Sequence, residues 1–173
     1  NSNISHRPTQ ALRLTELDLS NGLKVILKAT DFKNDEILMG ASRFGGQSLY
    51  PQADMYNAAL ADAVVSSMGL ATFTPTDLQK MLAGKVLRSN LSLGSYTDAL
   101  GGSASVADLE SMLQLMYLKF GEVRRDDDLY QSFVSRARDA SKNALARPES
   151  IFRDATQTTL YNAHPRLFLT PRP

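Results

Sequence analysis

Thr15-Glu16-Leu17-Asp18-Leu19-Ser20-Asn21-Gly22-Leu23-Lys24-Val25-Ile26-Leu27-Lys28 alternates apolar and polar residues on both sides of Ser20-Asn21-Gly22. A period of two puts alternate side chains on one face of a strand, and Asn-Gly is a turn signal that joins two such strands antiparallel. The stretch therefore predicts a hairpin, and with it an antiparallel sheet early in the chain. Asn1 to Gln10 reads as a polar lead-in, so 1–11 is expected to be a linker or disordered segment ahead of one domain over 12–173.

Working outward, Thr30 to Asp35 is a polar connection, and Glu36 to Phe44 reads as a third strand ended by Gly45-Gly46. Tyr56 to Met68 is a helix by its spacing, with Leu60, Val64 and Met68 on one stripe beside Ala61 and Val65. An adjacent stripe carries only small or short polar residues, Ala59, Asp62, Ala63 and Ser66. Thr74-Pro75-Thr76-Asp77 combines an N-cap threonine, Pro at the first helical position and an acidic third residue, predicting a short helix over 77–83. Lys85 to Leu93 and Thr97 to Ala104 read as a strand pair. The first of these has Leu87, Leu91 and Leu93 on one face and Arg88, Asn90 and Ser92 on the other.

Ser105, with Asp108 three residues on, opens a helix whose apolar residues Val106, Leu109, Met112, Leu113, Met116, Tyr117 and Phe120 predict a core face. Asp126-Asp127-Asp128 introduces a long helix with Tyr130, Phe133, Val134, Ala137 and Ala144 on one stripe. Pro148 interrupts it, and a last helix uses Ile151, Phe152 and Ala155. The order β-β-β-α-α-β-β-α-α-α lacks the strict alternation of a doubly wound parallel fold. It predicts an α+β two-layer sandwich, a mainly antiparallel sheet covered by helices.

With 173 residues, 43% of them hydrophobic, the chain can build one sizeable core. Its 19 basic and 18 acidic residues are mixed along the sequence. That gives neither a nucleic-acid footprint nor a polybasic membrane patch, and no apolar run reaches the ~18 residues of a membrane span. Cysteine is absent, which removes disulfides, thiolate metal sites and Cys nucleophiles together. The first ten residues lack the apolar region of a signal peptide, and the chain starts without Met, which suggests a fragment or processed product.

Chemistry is hard to find. His6 and His164 are isolated and read as surface residues. Asp126-Asp127-Asp128 follows Arg124-Arg125 and lacks the alternating ligands, central Gly and closing Glu of a calcium loop, so helix-start charge explains it better. Gly45-Gly46 and Gly101-Gly102 match no nucleotide fingerprint and point to turns or close approaches. Ser66, Ser67, Ser89 and Ser92 lack a Gly-x-Ser-x-Gly elbow and a nearby His. Asp62 and Asp139 lie in apolar-rich helices and read as surface charges, Asp139 with Arg136 or Lys142 in reach.

The hairpin Leu17 to Lys28 resembles the one that opens each homologous domain of the pitrilysin/insulinase family of zinc metallopeptidases. Phe44-Gly45-Gly46, the following helix, the Asp77-Leu78 helix start, the strand pair, the capped Ser105 helix, the long helix and His164-Pro165 follow in that family's order. The resemblance covers about residues 12 to 166. It implies a metallopeptidase or mitochondrial-processing-peptidase-like fold, with the last strands of the domain missing beyond Pro173.

Active domains of that family carry H-x-x-E-H on the first helix, two histidines for zinc and a glutamate for the attacking water. The motif falls here on Ala59-Leu60-Ala61-Asp62-Ala63. The family's third ligand, a glutamate on the long helix, would fall near Arg138, Asp139 and Ala140. The resemblance thus implies a degenerate domain with no catalytic residue, metal ligand or cofactor of its own. Zinc is expected in another homologous domain of the same polypeptide, and a peptide substrate in a chamber shared by such domains. Arg88, Asn90 and Ser92 would line that chamber or simply form an exposed sheet face. A scaffold or assembly protein that uses the fold without proteolysis is the alternative. By resemblance to family members with signal peptides, a bacterial periplasm or cell envelope is the expected location.

Overall fold

The computed structural model describes residues 3–9, 12–144, 146–164 and 166, with side chains from residue 12 onward. The terminal residues beyond 166 and Pro165, where the expected domain truncation falls, lie outside that set. Contacts divide the chain into two compact units, Asn1–Glu36 and Ile37–Pro173, where one domain over 12–173 was expected.

The first unit is an antiparallel sheet of β1 (Asn3–Thr9), β2 (Leu14–Leu19) and β3 (Lys24–Lys28), in the order β1-β2-β3. Leu17 pairs with Val25, the register the alternating pattern requires. Gly22 takes φ 83°, which favours glycine, and Asn21 Oδ1 accepts a hydrogen bond from the Leu23 N–H at 3.1 Å. The stretch expected as a lead-in is instead β1. Strand pairing needs only backbone amides and carbonyls, so a polar sequence can form an edge strand, and an edge tolerates Pro8.

The second unit contains β4 (Ile37–Phe44), α1 (Met55–Ser67), α2 (Pro75–Met81), β5 (Leu87–Leu93) and β6 (Thr97–Ala104). Three more helices follow, α3 (Leu109–Gly121), α4 (Asp127–Ala144) and α5 (Pro148–Leu160). Its sheet is antiparallel in the order β4-β6-β5. Antiparallel sheets and helices packed on one sheet face agree with the α+β sandwich expected from the element order.

Leu100 and Ala104 of β6 meet Met112 and Met116 of α3, with Met39, Leu87, Leu91 and Leu109 packed around them. Met112 is 0% exposed and forms the centre of this core. Gly102 makes the close approach possible. A Cβ there would overlap Met116 Cε and lie 2.8 Å from both Met112 Sδ and the Arg88 carbonyl oxygen. The capping box at Thr74 and Asp77 is formed in both directions, so α2 starts at Pro75, two residues before the expected start.

Three helix faces differ from expectation. On α3 the core uses Leu109, Met112 and Met116, whereas Val106, Leu113, Tyr117 (74% exposed) and Phe120 (66%) face solvent. The helix itself begins at Leu109, and the Ser105–Asp108 box closes the turn before it. On α1 the buried residues are Met55 and Ala58, with Met68 just beyond its end, and Leu60 is exposed. On α5 Ile151, Phe152 and Ala155 are exposed. Periodicity groups residues onto a face but does not supply a covering layer.

Candidate functional site

α1 is the element on which a site would be built, and it packs beside β5 and α4. Two 3-10 turns, Gly46–Leu49 and Gln52–Asp54, lead into it. Gly46 adopts φ 63° and has no room for a Cβ against the Gly94 carbonyl; its N–H donates to Asp98 Oδ1 at 3.1 Å. Both glycine pairs thus serve close approaches, Gly45-Gly46 at a turn, Gly102 under α3 and Gly101 under Asn90 on the opposite face. From the far end of the chain, the Arg166 guanidinium donates to the carbonyls of Gln47 (3.0 Å) and Tyr50. One side chain after α5 therefore ties down the approach to α1.

Along α1, Ala59 and Ala63 are exposed and Asp62 is half-buried. Asp62 Oδ1 accepts from the Ala63 N–H at 2.8 Å. On α4, Arg138, Asp139 and Ala140 are all exposed, and Asp139 pairs with Lys142 at 3.7 Å, one of the two partners its helix spacing offers. The aspartate triplet behaves as helix-start charge. Asp126 accepts from the Leu129 N–H at 3.0 Å, while Arg124 and Arg125 pair with Asp126 and Asp127 at 2.7 and 3.0 Å. His164 is exposed, its Nδ1 accepting from the Arg166 N–H at 3.3 Å; the His6 side chain lies outside the described residues.

Zinc takes imidazole, thiolate or carboxylate donors, three of them from the protein in a catalytic site. Positions 59 and 63 offer methyl groups. Positions 138–140 offer a guanidinium, an outward carboxylate already paired with lysine, and another methyl. Among the described residues no group of three His, Cys, Asp or Glu side chains could hold a metal ion. The donor set at this place does not fit zinc.

Arg88 and Asn90 are exposed and Ser92 is half-buried on the face of the β4-β6-β5 sheet turned away from α3. Asn90 lies over Gly101, whose missing side chain leaves it room. Lys119, on the last turn of α3, has no signal in the sequence that sets it apart. Its Nζ donates to the Ser89 carbonyl at 2.6 Å, and burial pushes its pKa below the ordinary lysine value.

No family model matches the sequence. A zinc protease PQQL-like protein of Arabidopsis thaliana is 31% identical over 107 residues, 62% of this chain and 9% of that protein. The probable zinc protease PqqL of Escherichia coli (strain K12) is 25% identical over 158 residues, 91% of this chain and 17% of that protein. The crystal structure of the periplasmic protease PqqL from Escherichia coli superposes with a TM-score of 0.79 at 25% identity, covering 97% of this chain and 18% of that one. A ferredoxin protease solved in complex with Arabidopsis ferredoxin shares the fold at a TM-score of 0.75 and 17% identity, covering 91% of this chain and 17% of that one. The chain therefore spans less than a fifth of the length of the curated relatives it matches. On sequence and fold together, the chain is similar to one part of these much longer zinc proteases and shares their peptidase fold.

Proposed function

We propose that this chain is a non-catalytic domain of a larger zinc peptidase, forming one wall of a chamber in which another homologous domain of the same polypeptide holds the zinc and cuts peptides. The observation that carries this reading is the α1 stripe, with Ala59 and Ala63 exposed on either side of Asp62. Neither alanine has a lone pair to give a metal, and the α4 segment that would supply the third ligand presents Arg138, Asp139 and Ala140 outward. The small fraction of each relative that the chain covers supports the reading, since it leaves room for further domains.

In this reading the sheet face bearing Arg88, Asn90 and Ser92 faces the chamber and meets substrate backbone. A periplasmic or envelope location goes with it, supported by the E. coli structure described as a periplasmic protease. A cleavage assay on unstructured peptides, run with and without a chelator, tests the proposal. The 173-residue chain should release no fragments under either condition. Chelator-sensitive cleavage by this chain would refute it.

A further inference from the structure

Between α1, α3 and β5 lies a cavity of about 70 Å³ that no part of the proposed function uses. Asp62 and Ser66 of α1 and Lys119 of α3 supply its polar wall; Leu70, Leu78 and Leu91 supply apolar ones. At the ~30 Å³ that a water takes up in the liquid, it has room for about two water molecules, the size class of a ligand of a few heavy atoms. Asp62 and Lys119 thus both line one small space, and among the described residues no ion pair joins them.

We propose that this cavity binds a small amino-acid zwitterion, its ammonium against Asp62 and its carboxylate against Lys119. Each charged wall would meet its opposite, and the ligand itself would bring no net charge into a half-buried place. Lys119 already donates one hydrogen bond, to the Ser89 carbonyl, leaving two of its three ammonium donors for an incoming carboxylate. Burial already disfavours its charged form, so an anion beside it relieves a penalty the fold carries without ligand. Occupancy does not depend on the chain's place in a peptidase.

Titration of the 173-residue chain with glycine, followed by amide NMR, tests the site. Glycine should shift the amides of Asp62, Ser66, Gly69 and Lys119 saturably. Acetate and methylammonium, each carrying half of the charge pattern, should bind at least about tenfold more weakly. Lys119→Met and Asp62→Asn should each weaken glycine binding by a similar factor, and Lys119→Arg should retain part of it. Asp62→Asn keeps the test open if Lys119→Met fails to fold. Unsaturable shifts, shifts confined to other residues, or equal binding of acetate and glycine would overturn the assignment.

Discussion

Gly102 lies directly beneath Met116, so that the hydrogen on its α-carbon is all that separates β6 from the α3 side chains. The Arg88 carbonyl, 2.8 Å from a would-be Cβ, is backbone and cannot swing aside, although the end of Met116 can. Gly102→Ala should therefore destabilise the second unit by about 1–3 kcal/mol, the range for forcing a methyl into a packed core. Urea denaturation of the two proteins measures the difference. An unchanged midpoint would mean that α3 can lift from the sheet at no cost.

Arg166 reaches back to the carbonyls of Gln47 and Tyr50, which lie on the approach to α1. A guanidinium presents two parallel donors in a fixed fork, which an ammonium cannot reproduce. Arg166→Ala should cost about 1–3 kcal/mol and Arg166→Lys a smaller part of that. Hydrogen exchange should localise the loss to residues 46–58. Faster exchange spread evenly over the sheet would contradict this account of Arg166.

Asp108 accepts from the Val86 backbone N–H at 2.9 Å and from the Ser105 hydroxyl at 2.8 Å, and these bonds hold its pKa below the ordinary 3.8. A carboxyl whose folded pKa is depressed adds stability that is present above its unfolded value and is lost as pH falls through the folded one. Stability should accordingly decline below about pH 4, and less steeply in Asp108→Asn. Denaturation midpoints at pH 5 and pH 2.5 provide the comparison. Parallel declines in the two proteins would remove Asp108 from the acid response.

If α1 lacks only its ligands, supplying them should confer metal affinity. Ala59→His and Ala63→His place two imidazoles one helical turn apart, the spacing at which they share a zinc ion. The double variant should take up zinc measurably, by calorimetry, where the unmodified chain does not. Adding Asp62→Glu should still give no peptide cleavage, since Arg138, Asp139 and Ala140 provide no third ligand. Failure of the double variant to bind zinc would show that positions 59 and 63 do not face a common point.

Local chemistry was legible in the residues. Asn21-Gly22 set the hairpin turn, Thr74 and Asp77 set a helix start, and the alternation of Leu87, Leu91 and Leu93 against Arg88 and Asn90 set a strand's two faces. Each is decided within a few residues, which is the range over which sequence patterns act. What depends on a distant partner was not legible. Tyr117 and Phe120 have core spacing but lack a covering element among the described residues, and β1 forms only because β2 lies beside it. Arg166 and Lys119 look like any surface cation until the chain folds them onto Tyr50 and Ser89. The alanines at 59 and 63 were visible in the sequence. Their meaning came from resemblance, because an absent ligand has no periodicity.

On the proposed reading, this chain carries the peptidase scaffold without its metal. Elemental analysis for zinc, after saturating the purified 173-residue chain with zinc and dialysing extensively, tests it most directly. Well below one zinc per chain is expected; one tightly held zinc per chain, lost on substituting Asp62 or Asp139, would overturn the non-catalytic reading.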